Sequence, residues 1–94
     1  MERKLYKTMV FKESGMRMDY YILTETVELE GEIAESYGVQ ITQAPLNTFS
    51  VCGYFSRLER DITCDYEKIL QLLDILTESE TDPSLLYDMV AEYI

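Results

Sequence analysis

The apolar residues of this chain change their spacing near Tyr66, and that change decides which folds the chain can form. Before Tyr66, apolar side chains recur at every second position, as on one face of a β-strand. After it, they recur at intervals of three and four, as on one face of an amphipathic helix. Strands that all precede the helices favour an α+β fold, with two C-terminal helices packed on one face of an antiparallel sheet. We expect a single domain over residues 1–94, because the length is that of one domain.

The first two predicted strands form a β-hairpin. Residues 4–12 and 16–29 both alternate apolar and polar positions, and a short turn containing Gly15 separates them. In a tight register Lys4 would lie near Glu25, which predicts an opposite-charge pair across the two strands.

The next segment predicts a connection and two further strands. Residues 28–36 are acidic and contain a glycine, so we interpret them as a connection. Residues 37–42 predict a short strand that ends before Pro45, because proline cannot donate to a ladder. Residues 48–56 predict the fourth strand, which gives an antiparallel meander of about four strands.

The first helix is predicted to begin near Tyr66, with Thr63 as its N-cap. An N-cap at Thr63 would place Cys64 in the first helical turn. The spacing predicts that one face of this helix lies in the core, namely Ile69, Leu72, Leu73 and Leu76.

The second helix has a clear start, because Asp82 can cap it and Pro83 suits the first helical position. Its apolar stripe predicts four core residues: Leu85, Leu86, Met89 and Val90. Asp88 and Glu92, with Tyr87 beside them, would then form an outward-facing acidic ridge.

The charge of the chain is −10, and its distribution is uneven. Five of the eight basic residues lie within residues 1–17, whereas residues 18–56 contain no lysine or arginine. A protein that binds a phosphate backbone needs a basic footprint, so we expect no direct binding to nucleic acid or to an anionic membrane. No apolar run approaches the about 18 residues of a membrane span. The N-terminus lacks a signal-peptide pattern, so we expect a cytoplasmic protein.

The sequence contains no histidine and no glycine-rich phosphate-binding motif. Histidine-based nucleophilic catalysis and histidine-ligated metal sites are therefore excluded. The acidic stretch 28–35 lacks the spacing of a calcium loop, so we interpret it as solvated carboxylates. We predict no catalytic residue, no cofactor-binding residue and no metal ligand, and hence a protein that is not an enzyme.

Two cysteines, Cys52 and Cys64, offer one alternative function. A thiol in the first turn of a helix is activated by the helix dipole. Cys64 could then act as a redox-sensing or ligand-binding thiol that Cys52 resolves. The surrounding carboxylates of Asp61, Asp65 and Glu67 oppose a thiolate, so a structural role is favoured.

Tyrosine is the side chain that most favours an interaction surface, because it combines a flat apolar body with a polar tip. The chain contains eight tyrosines, and adjacent Tyr20 and Tyr21 must point to opposite faces of the sheet. Candidate interface residues are Tyr20, Tyr21, Tyr54, Tyr87, Asp88 and Glu92.

Two motifs make the chain resemble an uncharacterised family of short bacterial proteins of unknown function. The first is the Tyr-Gly-hydrophobic strand at Tyr37, Gly38 and Val39. The second is the C-terminal helix motif, with matching positions at Pro83, Leu86, Asp88, Met89, Val90 and Glu92. The resemblance covers roughly residues 18–94 and departs at Met89 and in the strand 48–56. It implies the fold and a bacterial cytoplasm, and it supplies no activity.

These observations favour a small, acidic, non-enzymatic protein that acts as an accessory or regulatory interaction module. Its partner would be another protein or a second copy of itself, in a homodimer. An alternative is an acidic inhibitor that mimics nucleic acid and occupies the groove of a basic nucleic-acid-binding protein.

Overall fold

The computed structural model of the chain describes residues 1–46 and 55–93. Its elements, in chain order, are the strands β1 (Glu2–Phe11), β2 (Met16–Leu29), β3 (Glu32–Pro45) and β4 (Phe55–Thr63), the helix α1 (Tyr66–Glu78), a 3₁₀ turn (Pro83–Leu85) and the helix α2 (Leu86–Tyr93). The strands pair antiparallel in the order β1-β2-β3-β4. The predicted α+β fold, a four-stranded meander followed by two helices, is confirmed. None of the described helices has both the length and the apolar character needed to cross a membrane.

The long hairpin of β2 and β3 replaces the connection that was predicted at residues 28–36. The two strands pair from Met16 with Pro45 to Leu29 with Glu32, so only Glu30 and Gly31 form the turn. Both have positive φ, 53° and 83°, as in the type I′ turns that match the twist of a hairpin. The prediction of a connection was wrong because acidic composition hid a strand alternation that continues to the turn.

The fourth strand is described from Phe55 onward, and it continues beyond the predicted end at residue 56. β4 runs from Phe55 to Thr63, so the predicted strand 48–56 overlaps it only at its last two residues. Residues 47–54 lie outside the described part of the chain. Arg57, Glu59, Arg60 and Asp61 make β4 strongly charged, which is why the sequence pattern did not reveal it.

Asp65, rather than Thr63, caps α1. The Asp65 carboxylate accepts hydrogen bonds from the backbone N–H groups of Glu67 and Lys68, at 3.0 and 3.4 Å. Thr63 ends β4, and its hydroxyl oxygen accepts a hydrogen bond from the Asp65 backbone N–H at 3.1 Å. The predicted cap was therefore wrong by two residues. The predicted core face of α1 is confirmed, because Ile69, Leu72, Leu73 and Leu76 are all fully buried.

The start of the second helical segment is as predicted. The Asp82 side chain accepts a hydrogen bond from the Leu85 backbone N–H at 3.2 Å, and Pro83 begins the 3₁₀ turn. Leu86 and Val90 are buried, and Met89 packs against the core. Leu85 is 50% exposed, so its predicted core position was wrong. A 3₁₀ turn has three residues per turn rather than 3.6, which rotates this position away from the sheet.

The helices cover one face of the sheet, which we call the covered face. Its buried residues are Met18, Tyr20, Ile22, Val39 and Ile41. Tyr20 has no exposed surface, and its hydroxyl donates a hydrogen bond to the Thr81 carbonyl oxygen, in the segment between the helices, at 2.8 Å. Burial, with the nearby carboxylates of Glu80 and Asp82, raises the pKa of Tyr20 to about 12. The Tyr20 side chain thus ties the central strand to the helical segment.

Candidate protein-interaction face

The opposite side of the sheet is lined by the alternate residues of the four strands. We call the part of it that lies between Arg17 and Glu25 of β2 the open face; beyond Glu25 the same side continues along the β2–β3 hairpin alone, to Leu29 and Glu32. Residues that pair directly in an antiparallel ladder point to the same face, so the register defines its membership. Its principal side chains are Arg3, Leu5, Thr8 and Val10 on β1, Arg17, Asp19, Tyr21, Leu23 and Glu25 on β2, Ser36, Gln40 and Thr42 on β3, and Ser56, Leu58 and Arg60 on β4. Within residues 1–46 and 55–93, neither helix lies over this face.

A chain of side-chain contacts crosses the open face from one edge of the sheet to the other. The Arg3 guanidinium on β1 lies 4.3 Å from the ring centroid of Tyr21 on β2. Arg3 Nη1 also donates a hydrogen bond to Gln40 Oε1 on β3, at 3.3 Å. Gln40 Nε2 in turn donates to Ser56 Oγ on β4, at 3.0 Å. These contacts hold one aromatic ring and one guanidinium in fixed positions near the middle of the face.

Ion pairs flank this centre at both ends of the open face. At one end, Arg60 Nη2 lies 2.6 Å from Glu25 Oε2, and Arg60 Nε donates to Glu25 Oε1 at 3.3 Å. These hydrogen bonds and the carboxylate charge raise the pKa of Arg60. At the other end, Arg17 Nε lies 3.4 Å from Asp19 Oδ2, a charge contact without hydrogen-bond geometry. Thr8 donates to the second Asp19 oxygen at 2.7 Å.

The predicted pair of Lys4 and Glu25 does not form. Lys4 lies opposite Ile22, and Glu25 instead binds Arg60. The turn between β1 and β2 has four residues, 12–15, and pairs Phe11 with Met16, which already places Lys4 two residues short of Glu25. A bulge between Leu5 and Lys7 shifts the register by one more residue.

Apolar side chains complete the open face. Leu5, Val10 and Leu58 are 51%, 50% and 42% exposed, and Tyr21 is half-buried. Leu23, which lies opposite Arg3 and Gly38 in the register, is buried. The surface available to a partner is therefore a tyrosine and three aliphatic side chains, framed by the paired charges.

The charge of the open face differs from that of the rest of the molecule. The face contains three arginines, Arg3, Arg17 and Arg60, against the carboxylates of Asp19 and Glu25. Asp61 adds a third carboxylate, which accepts a hydrogen bond from the buried Ser36. The face is therefore neutral. By contrast, residues 65–93 contain eight acids and one lysine, a net charge of −7 out of the total of −10.

The structure separates the candidate interface residues that the sequence suggested. Tyr21 lies on the open face, whereas Tyr20 is fully buried and offers no surface to a partner. Tyr87 is 68% exposed on α2, on the other side of the sheet. Asp88 and Glu92 are also exposed there, and Tyr54 lies outside the described residues.

Sequence reasoning missed Arg3, Leu5, Gln40, Leu58 and Arg60 as members of one surface. Only the strand alternation could have grouped them. The displaced register of β1 and the unrecognised β4 prevented that grouping.

Cys64 does not lie in the first turn of α1. It is exposed and precedes the N-cap Asp65, so the predicted position within the turn was wrong. Cys52, its suggested partner, lies outside the described residues.

Gly38 occupies a position where the strand β4 leaves no room for a side chain. A Cβ atom on Gly38 would lie 2.3 Å from the Glu59 carbonyl oxygen. Beside it, the ring of Tyr37 meets that of Tyr66 edge-on, with centroids 5.3 Å apart, and Val39 is fully buried. The Tyr-Gly-hydrophobic motif is therefore explained by packing.

A family model matches residues 1–94, which is the whole of the sequence. The chain belongs to DUF6514, a family of unknown function. The resemblance inferred from the two motifs is confirmed, and the match extends it to the N-terminal strand. No curated protein and no solved structure matches the chain significantly. Neither the family nor these comparisons assign an activity to this DUF6514 member.

Proposed function

We propose that this protein is a non-enzymatic interaction module that binds a protein partner through the open face of its sheet. The observation that supports the proposal is the contact chain from Arg3 through Tyr21 and Gln40 to Ser56. Arginine and tyrosine dominate the energetics of many protein interfaces, and they contribute most where they are already held in place. Its role in the cytoplasm would be accessory or regulatory.

The exposed apolar side chains of the open face also support the proposal. Leu5, Val10 and Leu58 each leave about half of their surface exposed on the same face as Tyr21. Burying such a side chain completely against a partner contributes on the order of 1 kcal/mol, since full burial of a leucine is worth about 1.5–3 kcal/mol. The framing pair of Arg60 with Glu25 is hydrogen-bonded within the chain, so a partner need not neutralise it.

Affinity purification from a lysate of the native host, with this protein immobilised as the bait, tests the proposal. Leu5→Glu places a charge on the open face, and Leu85→Glu is the matched control, because Leu5 and Leu85 are 51% and 50% exposed on different surfaces. We expect the wild type and Leu85→Glu to retain the same protein partner and Leu5→Glu to lose it. Retention of the same partner by all three baits would contradict binding through the open face.

The acidic helical segment supports the second candidate function, mimicry of nucleic acid. Eight carboxylates within residues 65–93, with Asp88 and Glu92 exposed on α2, could occupy a basic groove. Binding of this kind weakens steeply with salt, because it depends on screened charges. A partner that is lost in high salt and with Asp88→Asn plus Glu92→Gln, but is retained by Leu5→Glu, would favour mimicry over the open face.

A further inference from the structure

We infer that the partner that covers the open face is a second copy of this chain, in a face-to-face dimer. This inference rests on the proposed function, because it names the occupant of the same surface.

The distribution of charge leaves one surface on which two copies can meet without strong repulsion. Each chain has a net charge of −10, so two copies repel each other over most of their surface. The helical segment, with its net charge of −7, is the least suitable contact. The open face, with three arginines and three carboxylates, is neutral. A face-to-face dimer therefore joins the neutral surfaces and directs both acidic helical layers outward.

The arrangement of the charges suits a two-fold axis. Most homodimers are related by such an axis, which brings the same patch of both chains together. Along β2, the contact of Arg17 with Asp19 lies at one end of the open face and the pair of Glu25 with Arg60 at the other. A two-fold axis that lies in the plane of the interface and is perpendicular to β2 places the Arg17 end of one copy over the Glu25 end of the other. Each end then presents one positive and one negative group to its counterpart, and the apolar centre around Tyr21 meets itself.

The area of the face is sufficient for a specific, modest dimer. β4 has nine residues and the sheet has four strands. Because strands rise about 3.3 Å per residue and lie about 4.8 Å apart, this patch measures roughly 30 by 19 Å. Two such patches together bury about 1,100 Å², without the additional area of the protruding side chains, and this is close to the lower bound of specific interfaces.

The edges of the sheet disfavour the other common mode of strand association. β1 is an edge strand and presents Lys4 and Lys7, both exposed. Lysine on an edge strand disfavours pairing with another chain, and a bulge does the same. β4, the other edge, has an irregular register beside Val39, with Asp61 at a φ of 53°. Self-association is therefore directed to the face.

Sedimentation velocity of the purified full chain tests the inference. Concentrations from about 1 to about 500 µM cover the range in which an interface of this size dissociates. We expect the wild type to reach twice the 11.0 kDa mass of one chain as concentration rises. Leu5→Glu and Leu58→Glu should each raise the dissociation constant at least ~10-fold, because each buries an unpaired charge. Leu85→Glu should leave the constant unchanged. Circular dichroism melting of every variant verifies that it is folded.

Three outcomes are informative. A wild type that stays monomeric throughout the range overturns the inference. The proposed function is tested separately by the affinity purification, because a different partner protein that binds the wild type and fails to bind only Leu5→Glu would still support it. A dimer that persists in both open-face variants also overturns the inference, because its contact lies elsewhere. A dimer that weakens only in those variants, and that tightens or is unchanged as salt rises, supports it, because salt screens the repulsion between the acidic chains.

Discussion

Arg60 on β4 and Glu25 on β2 form a two-contact ion pair that spans the intervening strand β3. Glu25 lies opposite Ser36 of β3 in the register, and Ser36 is fully buried. The Arg60 side chain is 58% exposed, and that of Glu25 only 16%. The pair therefore holds the edge strand β4 to the centre of the sheet while it remains accessible to salt.

We predict that Glu25→Gln lowers the thermal stability by a small amount. The substitution removes the charge of the carboxylate but preserves its shape, and pairs of this exposure are weak. The difference in melting temperature between wild type and variant should shrink as salt is added, because salt screens the pair. Glu28→Gln near the hairpin tip is the control and should have no salt-dependent effect. An effect of Glu25→Gln that does not change with salt would point to packing rather than charge.

Gly38→Ala is expected to be strongly destabilising. The added Cβ would lie 2.3 Å from the Glu59 carbonyl oxygen and 3.0 Å from the Arg60 Cα, so the backbone of β4 must move. Forcing extra atoms into a packed site typically costs about 1–3 kcal/mol, which urea unfolding measures.

A second glycine is the comparison for this variant. Gly31 also has a restricted backbone, with a φ of 83°, but no atom lies within 4 Å of the position of its Cβ. Asparagine tolerates positive φ, so Gly31→Asn should be nearly neutral. Equal losses at the two positions would show that close approach to β4 is not the cause at Gly38.

The sequence was sufficient for the class of fold and insufficient for the candidate surface, and the reason is physical. Periodicity reports which face of an element is buried, and it located both helices and the alternation of β1 and β2. It does not report register. The four-residue turn after β1, together with the bulge beside Leu5, moved Lys4 away from Glu25, and the charged residues of β4 hid a strand.

Caps and turns show the same limit on a smaller scale. Thr63 and Asp65 are both acceptable N-caps, and only the length of β4 decides between them. Glu30 is not a typical residue for the first position of a type I′ turn, so the tight hairpin was missed. The open face was missed because its members are far apart in sequence and meet only through the correct register.

Tyr20→Phe is expected to lower the free energy of unfolding by about 1–2 kcal/mol. The phenol donates to the Thr81 carbonyl oxygen in the core, and its loss leaves a buried acceptor without that partner. Tyr21→Phe is the matched control on the open face and should cost less. Urea unfolding at neutral pH measures both, and equal losses would contradict a special role for the bond to Thr81.

The same tyrosine predicts alkaline destabilisation. Burial raises the pKa of Tyr20 from 10.0 to about 12, so the folded state retains the phenol proton more strongly than the unfolded state. The contribution is complete below pH 10 and is lost as pH rises from 10 to about 12. In Tyr20→Phe the decline in unfolding free energy over this range should be shallower than in the wild type. An identical decline in both proteins would assign the effect to other groups.

Leu86→Ala and Leu85→Ala should differ greatly in stability, although the two residues are adjacent. Leu86 is 1% exposed and belongs to the core, whereas Leu85 is 50% exposed at the end of the 3₁₀ turn. Removing a buried leucine side chain costs about 2–5 kcal/mol, and an exposed one costs little. Urea unfolding of the two variants measures the difference. If the segment were a continuous α-helix with Leu85 on its buried face, as its sequence pattern predicts, the two losses would be similar. A large loss for Leu86→Ala alone would establish that the 3₁₀ turn places Leu85 outside the core.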